Sequence, residues 1–273
     1  MIDGWILKDL PVNLPLSMEG LNKNKRAMIL GGNTFDSTCV GSSGDLDHPQ
    51  DKETLDSHLE TYFPGDVDTV LAPYRAYLDQ AEMRNNDGLA DVPEPDPWCN
   101  EFCTVWLTMS RDTGVMCPAL WLARKLSSAP PGSHDETAVW LYRFGYNATA
   151  PGDTVDHGGE IDFVWQRNTA FTSRNSETVS TNIGDLWTSF VAKGVPEFAE
   201  HSKRWPREWA AFQADHTEVF LDFNGTNKTE GAGLGDAAGA FSGLFGDTCG
   251  AWEDYINQGD DKLTNFNNFG YLC

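Results

Sequence analysis

Long apolar runs are missing from this 273-residue sequence, since none reaches the roughly 18 residues that a membrane-crossing helix needs. Basic residues are scarce: 19 lysines and arginines face 41 aspartates and glutamates, and the resulting charge of −22 repels nucleic-acid phosphates and anionic lipids. The pattern Gly-x-Ser-x-Gly, which presents a nucleophilic serine on a sharp turn, does not occur. These absences argue against a membrane span, a nucleic-acid partner and a serine nucleophile of this type within the chain.

A signal peptide is also missing, because residues 1–4 lack a basic start followed by an apolar centre. The six cysteines and three N-glycosylation sequons, at Asn147, Asn224 and Asn227, nevertheless suit an oxidising, secretory compartment. We therefore expect a secreted or lumenal glycoprotein whose signal lies upstream of Met1. Chance sequons and free thiols in a cytosolic enzyme are the alternative explanation.

Two polar residues that follow predicted strands, Asp36 and His157, are the candidate functional residues. The apolar run 27–30, closed by Gly31-Gly32-Asn33, predicts a buried strand that ends in a turn, and Asp36 comes just after it. A second strand is predicted over 138–144, and the loop beyond it delivers His157. Because the carboxyl ends of parallel strands lie along one edge of a sheet, we expect Asp36 and His157 to meet there.

The remaining pattern predicts helices between and after these strands. Residues 45–60 are predicted as a solvated loop or exposed helix without an apolar period. Further elements are predicted as follows: helices from Asp96-Pro97 to about 109, over 115–126, over 183–191 and over 250–256, and a strand over 218–223. The glycine-rich stretch at about 225–246 is predicted to be a mobile connection and does not match a phosphate-binding fingerprint.

Several of these motifs resemble the type-B carboxylesterase and cholinesterase-like family of α/β-hydrolases. Residues 28–37 are similar to the family's acid loop, with Asp36-Ser37 in place of the usual glutamate-glycine, and His157-Gly-Gly-Glu-Ile161 matches its histidine loop. The similarity spans nearly all of the chain and corresponds to the carboxyl-terminal half of the family domain. It implies an α/β fold, a partial and mostly parallel sheet with flanking helices, forming one domain over 1–273 with the glycine-rich connection inside it.

The resemblance also implies roles for particular residues. His157 would be the general base, Asp36 the acid that orients it, and Glu160 a residue that orders the histidine loop or buried water. The alternative for Glu160 is a helix-start carboxylate favoured by the backbone dipole. Cys117 and Cys249 would form a disulfide. The pairing of the remaining cysteines stays open, namely Cys39, Cys99, Cys103 and Cys273. Either the predicted helix begins after Cys99, or Cys99 and Cys103 pair elsewhere, because a regular helix separates them too widely for a bridge.

Two functions remain at this stage. The first is a carboxylic-ester hydrolase fragment that holds the acid and the histidine, takes its serine from a missing amino-terminal half, acts on a small ester and is inactive alone. The second is a non-catalytic cholinesterase-like adhesion or binding module. No cofactor is expected, and no metal, because Cys99-x-x-x-Cys103 with His157-x-x-Glu160 does not form a recognised zinc spacing.

Overall fold

The computed structural model describes residues 26–33, 36, 49–75, 78, 100–128, 137–146, 155, 157–167, 174–197, 209–212, 220–224, 233–235 and 247–270. The strands within these residues are β1 (Arg26–Asn33), β2 (Thr137–Gly145), β3 (Phe220–Asn224) and β4 (Gly233–Gly235). The helices are α1 (Lys52–Tyr62), α2 (Val67–Leu71), α3 (Glu101–Arg111), α4 (Cys117–Ser127), α5 (Ile161–Val164), α6 (Arg174–Lys193), α7 (Asp247–Ile256) and α8 (Asp260–Gly270). A 3-10 turn over Ala72–Tyr74 follows α2, and a π-helical turn over Asp112–Met116 joins α3 to α4.

The described strands form one sheet in the order β1-β2-β3-β4. β1 pairs with β2 and β2 with β3 in parallel, whereas β4 pairs antiparallel with β3. The expected α/β class, with a mostly parallel sheet and flanking helices, is confirmed. Among the described residues, no helix is both long enough and apolar enough to cross a membrane.

Strand β2 lies at the centre of two hydrophobic cores, one on each face of the sheet. Val139 and Leu141 pack into the core formed with α1, α3, α4, α7 and α8. Trp140 and Phe144 pack into the opposite core, against residues of α5 and α6. Coverage of both faces explains why the sequence of β2 is apolar at nearly every position.

Strand β1 is longer than predicted. Gly31, Gly32 and Asn33 were expected to form a turn, but each continues the parallel ladder, opposite Tyr142, Arg143 and Phe144 respectively. The prediction was wrong because a ladder partner on β2 overrides the turn preference of glycine and asparagine. The consequence is that Asn33 becomes a strand residue, held in a fixed position three residues before Asp36.

Three helical predictions also need correction. α1 is not free of an apolar period, because Leu55 and Leu59 lie one turn apart and are fully buried, and Asp51 caps its first turn by accepting a hydrogen bond from the Thr54 N–H. α3 begins at Glu101 with Asn100 as its N-cap, not at Asp96, so the helix starts after Cys99. α8 was not predicted at all.

A short strand lies within the predicted connection. β4 lies inside the stretch 225–246, which was expected to be a mobile connection without secondary structure, and pairs with β3 through Leu234 opposite Leu221. The other residues of that stretch lie outside the described residues.

Cys117, the first residue of α4, forms a disulfide with Cys249 of α7, and Cys103 is bonded to a cysteine outside the described residues.

Candidate active site

The carboxyl end of β1 holds Asp36 in a fixed orientation. The backbone N–H of Asn33 donates a hydrogen bond of 2.8 Å to Asp36 Oδ2. Asp36 is 9% exposed and Asn33 is fully buried. Gly32 makes this close approach possible, because a Cβ at that position would lie 2.7 Å from Asp36 Oδ2. One carboxylate oxygen is therefore bound to the strand, and the other is left for a second partner.

That second partner is His157. Its Nδ1 lies 2.7 Å from Asp36 Oδ1, although 121 residues separate the two in the sequence. An ionised carboxylate only accepts hydrogen bonds, so Nδ1 carries the proton in this contact, and the neutral form of the ring holds its lone pair on Nε2. The His157 side chain is 64% exposed. A buried carboxylate and an exposed imidazole are thus in contact, so the ring is oriented on the Nδ1 side and accessible on the other.

Glu160 is bound to the same strand end by another route. Its Oε2 accepts a hydrogen bond of 2.6 Å from the side-chain amide of Asn33. Glu160 also stands at the N-cap position of α5, but its side chain makes no capping hydrogen bond there. The Glu160 carboxylate thus contacts the last residue of β1 while the residue stands at the start of α5.

Asn33 is not predicted as a site residue from the sequence, because its local pattern favours a turn. The available signal was its position three residues before Asp36, at the end of an apolar run. Its side chain could be assigned only once the loop carrying Glu160 had been placed beside β1, and local sequence carries no information about that contact.

Tyr142 stands on β2 directly opposite Gly31. A Cβ at Gly31 would lie only 2.3 Å from the ring carbon Cδ1 of Tyr142, so glycine is required where the ring crosses β1. Burial raises the pKa of Tyr142, and the negative charges of Glu160 and Asp36 raise it further. The phenol therefore stays protonated beside the two carboxylates and adds no third negative charge to the site.

The π-helical turn packs against the end of β1 from the other core. A Cβ on Gly32 would lie 2.7 Å from Val115 Cγ1 and 3.2 Å from Met116 Sδ, so this turn packs directly on the strand end. Burial raises the pKa of Asp112 at the start of the turn, while the Arg111 guanidinium beside it acts in the opposite direction. The element that packs behind Asp36 is thus a buried, hydrogen-bonded π-helical turn and not a loop.

The other predicted site residues are only partly described. Asn147 and Asn227 lie outside the described residues, and Asn224 ends β3. Within the described ranges, no group of three or more histidine, cysteine, aspartate or glutamate side chains has an arrangement that could hold a metal ion.

Comparison with known proteins gives a family match for the chain. A model of the carboxylesterase family matches residues 1–234. Among solved structures, the chain is similar to one described as PNB esterase, with 18% sequence identity and a TM-score of 0.46, over 80% of this chain and 38% of that one. This chain therefore spans well under half the length of that esterase. No curated protein matches it.

Proposed function

This chain belongs to the carboxylesterase family, and we propose that it supplies the histidine and the acid of a serine carboxylic-ester hydrolase. The nucleophilic serine of that enzyme would lie outside these 273 residues, which contain no Gly-x-Ser-x-Gly. The single observation that carries the proposal is the 2.7 Å contact between His157 Nδ1 and Asp36 Oδ1.

The proposed chemistry follows from the two ring nitrogens of His157. Nε2 accepts the proton of the serine hydroxyl as the serine oxygen attacks the ester carbonyl, and a tetrahedral intermediate forms. The same nitrogen then returns the proton to the departing alcohol, which leaves an acyl-enzyme. A water molecule, deprotonated in the same way, releases the carboxylic acid and restores the serine.

Asp36 serves this cycle through charge and orientation. Its carboxylate accepts the Nδ1–H bond, which keeps Nε2 in the unprotonated form that a base requires, and it stabilises the imidazolium after proton transfer. Burial of Asp36 strengthens that interaction, because the contact is shielded from water on the carboxylate side. The donors that stabilise the oxyanion would also come from residues outside this chain.

The test uses a fluorophosphonate probe, which forms a covalent bond with an activated serine. The 273-residue chain should remain unlabelled and should not hydrolyse a short acyl ester, whereas a polypeptide that includes the serine-bearing segment should be labelled on that serine. Serine labelling within residues 1–273 that depends on His157 would contradict the proposal.

The same experiment separates the alternative, a cholinesterase-like binding module. A module of that kind would remain unlabelled in its complete form, and substitution of His157 would leave ligand binding unchanged. The contact between His157 and Asp36 favours the hydrolase, because adhesion has no need of an oriented imidazole.

We also propose that the parent protein folds in the secretory pathway as a glycoprotein, and that residues 1–273 belong to one domain. The disulfide between Cys117 and Cys249 is compatible with an oxidising compartment. Enzymatic removal of N-glycans from protein made in a secretory host should lower its mass, and replacing Asn147, Asn224 and Asn227 with glutamine should abolish the change. An unchanged mass in the unsubstituted protein would reject glycosylation.

A further inference from the structure

Asn33 connects the two carboxylates of the site. Its backbone N–H donates to Asp36 Oδ2 at 2.8 Å, and its side-chain amide donates to Glu160 Oε2 at 2.6 Å. The residue is fully buried, and its position is fixed because it is the last residue of β1, opposite Phe144 on β2. One strand residue therefore holds the acid with its backbone and the loop of the histidine with its side chain.

We propose that Asn33 is a positioning residue that fixes the histidine loop relative to the acid, so that the His157 ring meets Asp36. The structural part of this proposal rests on contacts alone. Its consequence for turnover rests on the proposed function.

The chemistry of the contact calls for an uncharged donor, which the amide of Asn33 supplies. Asp36 and Glu160 are both acceptors when ionised, so the residue between them must donate in two directions while adding no charge. Asparagine does so with its backbone N–H and its side-chain NH₂. Aspartate has nearly the same shape but offers a carboxylate to Glu160, and two carboxylates at hydrogen-bond distance repel unless one binds a proton.

The link to His157 runs through a short loop. Glu160 is three residues from His157, and the backbone between them is closed by a hydrogen bond from the Ile161 N–H to the Gly158 carbonyl. Gly158 has a positive φ of 75°, a conformation that glycine adopts without strain. A displacement of Glu160 from β1 is therefore transmitted to the His157 ring through this compact turn.

The first variant removes the donor without changing the shape. Asn33→Asp should release Glu160 and move the histidine loop, while the backbone hydrogen bond to Asp36 remains available. Glu160→Gln is the matched control, because its side-chain oxygen still accepts from Asn33. In the double variant Asn33→Asp/Glu160→Gln donor and acceptor are exchanged, so the glutamine amide donates to the new carboxylate and the contact is restored.

The first readout is nuclear magnetic resonance of the ¹⁵N-histidine-labelled full-length protein, which needs no catalysis. The hydrogen-bonded Nδ1 proton of His157 should give a signal that disappears in Asp36→Asn and in Asn33→Asp. The signal should return in the double variant. A signal that is unchanged in Asn33→Asp, or that is not restored in the double variant, would overturn the proposal.

The second readout is ester hydrolysis by the full-length enzyme carrying the same substitutions. Asn33→Asp should lower kcat on the order of 10²-fold, the cost of a reacting group displaced by about 1 Å, and should leave KM near its wild-type value. The double variant should recover to the rate of Glu160→Gln. No loss in Asn33→Asp, or a double variant no faster than Asn33→Asp, would overturn the proposal.

Asp36→Asn distinguishes this proposal from the proposed function. If the Asp36→Asn enzyme hydrolyses the ester at the wild-type rate, the proposed triad is rejected. The resonance experiment alone then decides whether Asn33 positions His157. If Asp36→Asn is slow while Asn33→Asp turns over normally, the triad stands and the role of Asn33 is rejected.

Discussion

The proposed acid of this site, Asp36, is an aspartate, and its neighbours suit the shorter side chain. An aspartate side chain is one methylene shorter than the glutamate that is usual in the carboxylesterase family, so its backbone must approach the histidine more closely. Gly32 permits that approach, because a Cβ there would collide with Asp36 Oδ2 on one side and with Val115 on the other. The choice of acid and the absence of a side chain at Gly32 therefore belong together.

Gly32→Ala should consequently damage both stability and catalysis. The added methyl group forces the strand end away from Asp36 and the π-helical turn, and overpacking of this kind costs about 1–3 kcal/mol of unfolding free energy. Urea unfolding measures the loss. Gly250→Ala is the control: Gly250 lies in α7 with no atom near the position of an added Cβ, so alanine should stabilise by about 0.5–1 kcal/mol. Equal stability of Gly32→Ala and the wild type would contradict this explanation.

Asp36→Asn should lower kcat of the full-length enzyme by up to roughly 10⁴-fold, the magnitude known for the same change in a serine protease triad. The asparagine amide donates to Nδ1 and thereby places the ring proton on Nε2, where it blocks proton transfer. Steady-state hydrolysis of a short acyl ester measures the effect.

Asp162→Asn is the control for that measurement. Asp162 lies near the same loop but forms an exposed ion pair with Arg167, so its loss should leave kcat near the wild-type value. Normal turnover by Asp36→Asn would reject its role as the acid.

At the scale of the elements, a buried polar network holds the π-helical turn that supports the acid strand. Arg111 donates to Asp112 Oδ1 at 2.7 Å, Tyr74 donates to Asp112 Oδ2 at 2.9 Å, and Trp252 donates to the Tyr74 hydroxyl at 2.8 Å. These contacts connect the turn to the 3-10 turn after α2 and to α7. The network is thus a junction between elements that are distant in the sequence.

Asp112→Ala should be among the most damaging single changes in the protein. It leaves the guanidinium of Arg111 buried without its carboxylate, which costs about 3–5 kcal/mol. Thermal and urea unfolding measure this loss. Glu197→Ala removes an exposed ion pair with Lys193 and should change stability by less than about 1 kcal/mol. Similar stabilities for the two variants would show that the Asp112 network contributes little.

Elements with strong local signals could be predicted from the sequence. β2 is apolar at almost every position, and α6 ends where Gly194, with a positive φ of 75°, follows its last residue. The last three residues of β1 could not be predicted, because glycine and asparagine favour turns and only pairing with β2 makes them a strand. The meeting of Asp36 and His157 could be expected from parallel-strand geometry, but the role of Asn33 depends on tertiary contact alone.

At the scale of the whole molecule, the disulfide between Cys117 and Cys249 joins distant parts of the chain. The disulfide links Cys117, next to the π-helical turn, to Cys249 in α7 across 132 residues. Such a bond restricts the unfolded chain, and the chain-entropy model gives about 5 kcal/mol for a loop of this length. The helices after the glycine-rich stretch are thereby tied to the half of the molecule that carries the acid.

The double variant Cys117→Ala/Cys249→Ala should therefore unfold at a much lower urea concentration than the wild type under non-reducing conditions. The expected loss is roughly 4–5 kcal/mol of unfolding free energy. Circular dichroism at increasing urea concentration measures it, with the slope of the transition as a control for changes in the unfolded state. A loss below about 1 kcal/mol would show that packing of α7, and not the bond, holds this region.

The most direct test of the whole account is the rate of ester hydrolysis by the full-length enzyme with and without the imidazole of residue 157. His157→Ala should reduce kcat/KM for a short acyl ester on the order of 10⁴-fold or more, because no other group in the proposed triad can accept the serine proton. A His157→Ala enzyme that is correctly folded and hydrolyses the ester at close to the wild-type rate would contradict the account.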